Sequence, residues 1–356
     1  MNKNKEKISR RKTKQVLVGN VAIGGNAPVS VQSMTNTKTR NVTATIRQIT
    51  DLERAGCEIV RVAVPDLKSA QALADIKKSI SIPIIADIHF NYKLALKAME
   101  NGADKIRINP GNIGSEQKVK AIIDKAKDKN IPIRIGVNSG SLDKKIIQKY
   151  GGVTAQGLAE SAFDYITLFQ KMDFKDIIVS LKASDVKMMI EANRIFASKT
   201  DYPLHLGVTE SGIPKRGIIH SSVGIGTLLA NGIGDTIRVS LTGNFTEEIH
   251  TGYEILRSLQ LREHGVNIIS CPTCGRIQVD LIPLVEELDK QLMHEKKPIT
   301  VAVMGCAVNG PGEARKADIG VACGKKYALL FKKGKVIKKI RENEIVSTLL
   351  KEIQNF

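Results

Sequence analysis

The chain has 356 residues, 42% of them hydrophobic and 25% charged, which is the composition of a folded globular protein and excludes a disordered or fibrous one. Its formal net charge of +18 implies acidic partners: nucleic acid, an anionic surface or a phosphorylated substrate. No run of about 18 apolar residues occurs, and the basic segment 3–14 leads into a Gly-broken stretch instead of a signal core, so no membrane span and a cytoplasmic location are expected.

After a basic tail at 1–14, Val16-Leu17-Val18 and Val21-Ala22-Ile23 flank Gly19-Asn20 and predict a hairpin. Eight short β-branched runs follow, at 29–34, 59–64, 84–89, 105–109, 133–138, 177–182, 204–208 and 236–241. Amphipathic stretches lie between or after them, at 45–55, 67–78, 92–101, 116–128, 155–170, 186–197, around Leu228 and at 247–263. Eight strands each followed by a helix is the arithmetic of an α/β fold, a (β/α)8 TIM-like barrel over 15–266; a doubly wound open sheet is the alternative. From 267 to 356 the pattern becomes that of a small α+β domain, with helices at 281–294 and 344–353 and strands at 300–304, 318–321 and 327–331. Much of the excess positive charge gathers at 3–14 and 325–339, where solvated tails and faces are the plain explanation.

Four of the strands carry one triplet: Val60-Arg61-Val62, Ile106-Arg107-Ile108, Ile133-Arg134-Ile135 and Ile237-Arg238-Val239. Side chains alternate along a strand, so the Ile and Val flanks face the helices and each Arg enters the barrel. Lys182, in step with Ser180, joins them. Unpaired guanidinium groups are costly to bury, and Asp87 and Glu210 balance two of these five cations. Three remain for water, for further acids in layered ion pairs, or for a bound polyanion. Because the planar Arg fork grips phosphate oxygens bidentately, and barrel enzymes keep their sites at the carboxyl ends of the strands, these residues fit a phosphate or diphosphate pocket. Asn109, Asn138 and Ser240 lie one or two pleats beyond the arginines, and Gly-rich turns at 110–114 and 241–243 would offer backbone N–H groups. His89, His205, His220, His250, His264 and His294 read as structural. With no Trp, six Tyr and eight Phe, the chain is poorly equipped to stack single-stranded nucleic acid.

Five cysteines in a chain of this length do not form a secreted disulfide scaffold. Cys271-Pro272-Thr273-Cys274, with Cys306 inside 304–313, places three thiols in the small domain, and either zinc or an iron–sulfur cluster takes four ligands. Cys323 is the obvious fourth by chemistry and would complete a structural zinc site. Glu313, at the end of an Asn309-Gly310-Pro311-Gly312 turn, is the other candidate; its weaker bond would leave one iron of a cluster open to substrate. Cys57 reads as buried packing.

Together these residues resemble the 4-hydroxy-3-methylbut-2-enyl diphosphate synthase family over nearly the whole length. The likeness includes Val29-Ser30-Val31-Gln32-Ser33-Met34-Thr35-Asn36, Ile106-Arg107-Ile108-Asn109-Pro110-Gly111-Asn112-Ile113-Gly114, Val208-Thr209-Glu210-Ser211-Gly212 and both cysteine segments. The 304–313 stretch is highly specific, whereas pterin-binding barrels begin much as 29–36 does. The resemblance implies a [4Fe–4S] cluster on Cys271, Cys274, Cys306 and Glu313, with Glu313 and Glu210 catalytic and Glu210 positioning or protonating the substrate. It implies that Arg61, Arg107, Arg134, Asn138, Lys182 and Ser240 hold the diphosphate of 2-C-methyl-D-erythritol 2,4-cyclodiphosphate. The reaction implied is its reductive ring opening and dehydration to (E)-4-hydroxy-3-methylbut-2-enyl diphosphate in non-mevalonate isoprenoid biosynthesis, with ferredoxin or flavodoxin as electron donor. With no long insertion between 241 and 268, the chain resembles the compact two-domain type, a homodimer in which one subunit's cluster domain closes over the other's barrel. Two alternatives stand beside it: a pterin or one-carbon barrel enzyme with an appended cluster, for which Asp87 is the acid at hand, and a zinc-containing RNA-binding protein, motivated by the charge. With the synthase family, neither nucleic acid nor membrane is an expected partner.

Overall fold

The structure, a computed structural model, describes residues 8–293, 295–308 and 310–356, and it divides into two units between Arg262 and Glu263. The expected roles of residues 1–7, His294 and Asn309 lie outside the described residues. Among the described residues no helix is long and apolar enough to cross a membrane.

The first unit begins with the hairpin β1 (Val16–Val18) and β2 (Val21–Ile23), then alternates β3 (Ser30–Met34), α1 (Val42–Arg54), β4 (Ile59–Ala63), α2 (Leu67–Lys78), β5 (Ile84–Asp87), α3 (Tyr92–Glu100) and β6 (Lys105–Ile108). It continues through α4 (Pro110–Ile113), α5 (Glu116–Lys129), β7 (Ile133–Asn138), α6 (Lys144–Tyr150), α7 (Ala155–Lys171), β8 (Ile177–Lys182), α8 (Val186–Ala197), β9 (His205–Leu206), α9 (Pro214–Ala230), β10 (Thr236–Ile237) and α10 (Phe245–Ser258). Short polar side chains start the helices: Asn41, Asp66, Asn91, Thr154 and Asp185 each accept a backbone N–H from the first turn of the helix that follows. All eight barrel strands pair in parallel in the order β8-β7-β6-β5-β4-β3-β10-β9, and a bridge between Val179 and Leu204 completes the circle. An open doubly wound sheet is thereby excluded.

The Ile and Val flanks of all four Arg triplets are buried in one apolar cluster with the helices. Inside, Val16, Val18 and Ile23 of the hairpin pack on Ile59, Ile85 and Ile178, the inward residues at the amino-terminal ends of β4, β5 and β8. The hairpin thus plugs the barrel floor and leaves the carboxyl ends for chemistry. The basic tail is anchored at three residues within 8–14: Arg10 pairs with Asp235 at 3.2 Å, Arg11 donates to Tyr202 O at 2.7 Å, and Lys14 pairs with Asp201 at 3.0 Å.

Two further expectations change within the barrel unit. The 110–114 segment is a one-turn helix, because Pro110 opens it and the Asn109 side chain caps Gly111 N at 3.2 Å. β9 and β10 pair over only two residues each before the chain turns into loops, so Arg238 and Ser240 sit just beyond β10 instead of within it.

The second unit comprises β11 (Asn267–Ser270), α11 (Leu281–Leu292), β12 (Thr300–Met304), α12 (Gly310–Lys316), β13 (Ile319–Gly324), β14 (Tyr327–Lys332), β15 (Lys335–Arg341) and α13 (Ile345–Gln354). Its sheet runs β11-β12-β13-β14-β15, parallel through β13 and antiparallel after it. Val301, Val303, Ile319, Val321 and Cys323 share a core with Leu288 of α11 and Leu349 of α13; Ala302, Met304 and Ala322 cover the other face with Ala314 of α12.

Candidate active site

The barrel interior is built from strand parity. Ladder register sets Asp87, Arg107 and Arg134 side by side on β5, β6 and β7, and Asn138 beside Lys182 at the ends of β7 and β8. Arg107, Arg134 and Lys182 are buried, with Arg61 and Arg238 nearly so. Asp87 answers three of its neighbours: Arg107 Nη1 at 3.2 Å, Arg61 Nη1 at 3.9 Å and His89 Nε2 at 3.4 Å. Burial alone would raise the Asp87 pKa, but Arg61, the His89 hydrogen bond and Arg107 outweigh it and hold the carboxyl well below its usual range. The second acid set against the cage arginines is Glu248 of α10, not Glu210. Glu248 accepts hydrogen bonds from Ser33 Oγ at 2.8 Å and Leu241 N at 2.9 Å, and lies 3.9 Å from Arg238 Nε.

Two further basic groups share the interior, Lys105 and His205, both fully buried, and Lys105 Nζ and both His205 nitrogens have no hydrogen-bond partner among the described residues. Counting Lys105, six basic side chains (with Arg61, Arg107, Arg134, Lys182 and Arg238) face two acids, Asp87 and Glu248. Burial, reinforced by repulsion from neighbouring cations, lowers four of these groups, Lys182, Lys105, Arg134 and Arg61. Burial, then Arg238 and Arg134, lowers Lys182 well below its ordinary value; burial, then Arg134 and Arg61, does the same to Lys105. Burial also brings Arg61 down to about 9, with Asp87 opposing and Arg238 and Arg107 assisting. A cage with this imbalance is complementary to a small polyanion.

Two glycines make room for the side chains of this cage. A Cβ on Gly136 would lie 2.6 Å from Arg107 Nε, and one on Gly207 would lie 2.7 Å from Lys182 Nζ. At the rim, Ser211 Oγ donates to Ser240 O and Thr242 N donates to Gly212 O at 2.9 Å, which interlocks the loops after β9 and β10. Glu210 stands on this interlock, exposed, with φ of 54°. A non-glycine residue in that left-handed region is uncommon and marks a position the surroundings enforce.

Sequence reading missed Lys105, Glu248, His205 as an unpartnered group, and His89 as a partner of Asp87. Lys105 has the same parity as Arg107 and was legible; Glu248 lies on a helix, where no strand rule applies. Gly136, inside a strand, was the signal for a close side-chain approach.

In the second unit Cys271 and Cys306 follow β11 and β12, and Cys271 Sγ accepts Gly305 N at 3.2 Å. Cys274 is exposed and Cys306 buried. Glu313, in the first turn of α12, pairs with Lys316 at 2.9 Å. Cys323 is fully enclosed by apolar side chains; burial, then Glu342, Cys271 and Cys306, pushes its thiol up to about 12. Cys57, in the barrel unit, is likewise buried and raised to about 12, donating to Ile59 O at 3.2 Å. Among the described residues no three His, Cys, Asp or Glu side chains converge in metal-holding geometry. The donor set itself, soft thiols on adjacent loops of one small unit, is the type an iron–sulfur group uses.

Comparison with known proteins identifies the lineage. Residues 13–253 match the family description GcpE TIM-barrel domain, and residues 267–355 match GcpE protein C-terminal domain. The chain belongs to the GcpE family. A relative from Clostridium tetani is 57% identical, covering 98% of this chain and 100% of its own length. Another from Thermodesulfovibrio yellowstonii is 57% identical over 98% of this chain and 99% of its own length. Both are named 4-hydroxy-3-methylbut-2-en-1-yl diphosphate synthase (flavodoxin). Among solved structures, the dihydropteroate synthase of Stenotrophomonas maltophilia superposes with a TM-score of 0.52 at 10% identity, covering 70% of this chain and 97% of that one. At that identity the likeness extends to the barrel fold alone.

Proposed function

We propose that this chain converts 2-C-methyl-D-erythritol 2,4-cyclodiphosphate to (E)-4-hydroxy-3-methylbut-2-enyl diphosphate, an oxidoreductase step of non-mevalonate isoprenoid biosynthesis. The observation that carries this is the 57% identity, end to end, with relatives named for that product. The cationic barrel interior agrees with it, and neither a pterin site nor an RNA surface accounts for that interior.

Two electrons and two protons enter and one water leaves. Arg61, Arg107, Arg134 and Lys182, with Asn138 and Ser240 at the rim, bind the cyclic diphosphate; as the C–O bond to the ring phosphate breaks, charge grows on a phosphate oxygen that the same guanidinium groups stabilise. Asp87 and Glu248 orient the arginines. Glu210 positions the substrate and delivers a proton to the departing hydroxyl. When bound, an iron–sulfur group, assigned here as a [4Fe–4S] cluster on Cys271, Cys274, Cys306 and Glu313, supplies the electrons singly and a Lewis-acidic iron. The electrons come from flavodoxin, as in the relatives' names, and the working form is a homodimer, which light scattering on the purified protein would check.

Anaerobic purification with iron, sulfide and zinc analysis tests this assignment. About four irons per chain, kept in Cys323→Ala and destabilised in Glu313→Ala, with turnover of the cyclic diphosphate, is the expected result. Zinc without iron, lost in Cys323→Ala, would overturn it.

A further inference from the structure

In the second unit β11, β12 and β13 run parallel, so their carboxyl ends share one end of the sheet, from which Cys271, Cys274 and Cys306 emerge. β14 and β15 alternate in direction, which returns the turn at Lys325 and Lys326 and the last residues of β15 to that same end. There Lys325, Lys326, Tyr327, Lys339, Arg341 and Glu344 line an open groove. Tyr327 pairs in register with both Gly324 and Arg341, and Lys339 Nζ sits 3.7 Å from the centroid of its ring. β14 is two strands from β12, a lateral step of about 10 Å at ordinary strand spacing.

Eight of the seventeen residues 325–341 are Lys or Arg and none is Asp or Glu. β15 is the edge strand, exposed at every position but Ile340, and it also presents Val336 and Ile337 to solvent. Lysines along an edge strand discourage pairing with other sheets. That role is served by charge anywhere along the edge and does not account for the basic, aromatic-lined groove at the cysteine end.

We propose that this groove is the docking surface for the acidic one-electron carrier that reduces the enzyme, a flavodoxin on the functional assignment above, on which this inference rests. A basic groove carrying an aromatic side chain suits a transient partner steered by opposite charge. Each encounter oxidises the carrier's flavin by one electron and reduces the iron–sulfur group by one, so two encounters serve one turnover.

The test compares two triple variants of equal charge change in the iron-loaded protein: Lys325→Gln/Lys326→Gln/Lys339→Gln in the groove, and Lys333→Gln/Lys335→Gln/Lys338→Gln toward the far end of the hairpin. Flavodoxin binding is titrated directly, and turnover is measured with flavodoxin and, separately, with a reduced viologen. The groove variant should weaken binding and raise the KM for flavodoxin about tenfold or more, with a shallower salt dependence, while viologen-driven turnover is unchanged and the second variant stays within about twofold of wild type. Equal losses in the two variants, or no loss in either, would overturn the assignment. A wild-type protein inactive on the cyclic diphosphate even with viologen would sink the functional assignment instead, and the binding titration would still decide the docking surface.

Discussion

A methyl group at Gly136 would meet Arg107 Nε at 2.6 Å and Nη2 at 2.8 Å, too close for either to stay. Gly136→Ala should therefore move the guanidinium off Asp87 and out of the diphosphate position while leaving the apolar cluster outside the barrel alone. The expected loss is roughly tenfold to a hundredfold in affinity for the cyclic diphosphate, the range of one charge-assisted hydrogen bond, with little change in thermal midpoint; a variant that binds normally would remove Arg107 from the pocket. Lys182 makes a second prediction through its pKa. With the cage lacking an anion its pKa lies well below the ordinary lysine value, chiefly by burial and then by Arg238 and Arg134. A polyanion raises it again, so between the two values binding takes up a proton, and affinity falls as pH rises through that window; below it the amine is charged in both states and the dependence vanishes. The cyclic diphosphate keeps its charge across neutral pH and adds no slope of its own. Calorimetry in buffers of different ionisation enthalpy should show the uptake in wild type and a smaller uptake in Lys182→Met; equal uptake in the two would show that the substrate leaves Lys182 unperturbed.

At the scale of elements, the interlock between the loops after β9 and β10 holds Glu210 at φ of 54° through Ser211 and Gly212. Ser211→Ala removes the bond to Ser240 O and should lower kcat several-fold to tenfold with KM little changed if Glu210 acts as proposed, because the loop can then relax away from its left-handed conformation; an unaltered kcat would mean that Glu210 has no catalytic role or that Gly212 alone suffices. The elements that sequence revealed are those whose physics is local. Arg61, Arg107 and Arg134 were assigned to the interior because side chains alternate along a strand, and the ladder register agrees. α12 escaped because Gly310-Pro311-Gly312 signals a turn, although Pro is at home in a helix's first turn. β15 escaped because its lysines carry no buried face, and only pairing with β14 makes it a strand. Glu248 was invisible for the opposite reason: its role depends on how α10 packs against β3, a distance no spacing rule encodes.

For the molecule as a whole, each unit closes a core of its own, and the barrel is tied off at its last residue. Arg262 Nη1 pairs with Glu58 Oε2 at 2.7 Å and donates to Val29 O at 3.1 Å, while the same carboxylate accepts Val31 N at 2.8 Å. These bonds join the end of the barrel chain to its first barrel strand, so a fragment spanning 8–262 contains every strand of the ring and the clasp that secures it. Such a fragment should unfold in one cooperative transition, carry no iron, and still bind inorganic diphosphate, because Arg61, Arg107, Arg134, Lys182 and Arg238 all lie within it. Arg262→Ala in the same fragment should lower the thermal midpoint by a few degrees, in keeping with about 1 kcal/mol for a partly exposed pair with an added backbone bond. Calorimetric melting and diphosphate titration measure both. A fragment that folds but ignores diphosphate would mean that the barrel cations alone do not form the anion site, and the assignment of Arg61, Arg107, Arg134 and Lys182 to the substrate's phosphates would have to be withdrawn.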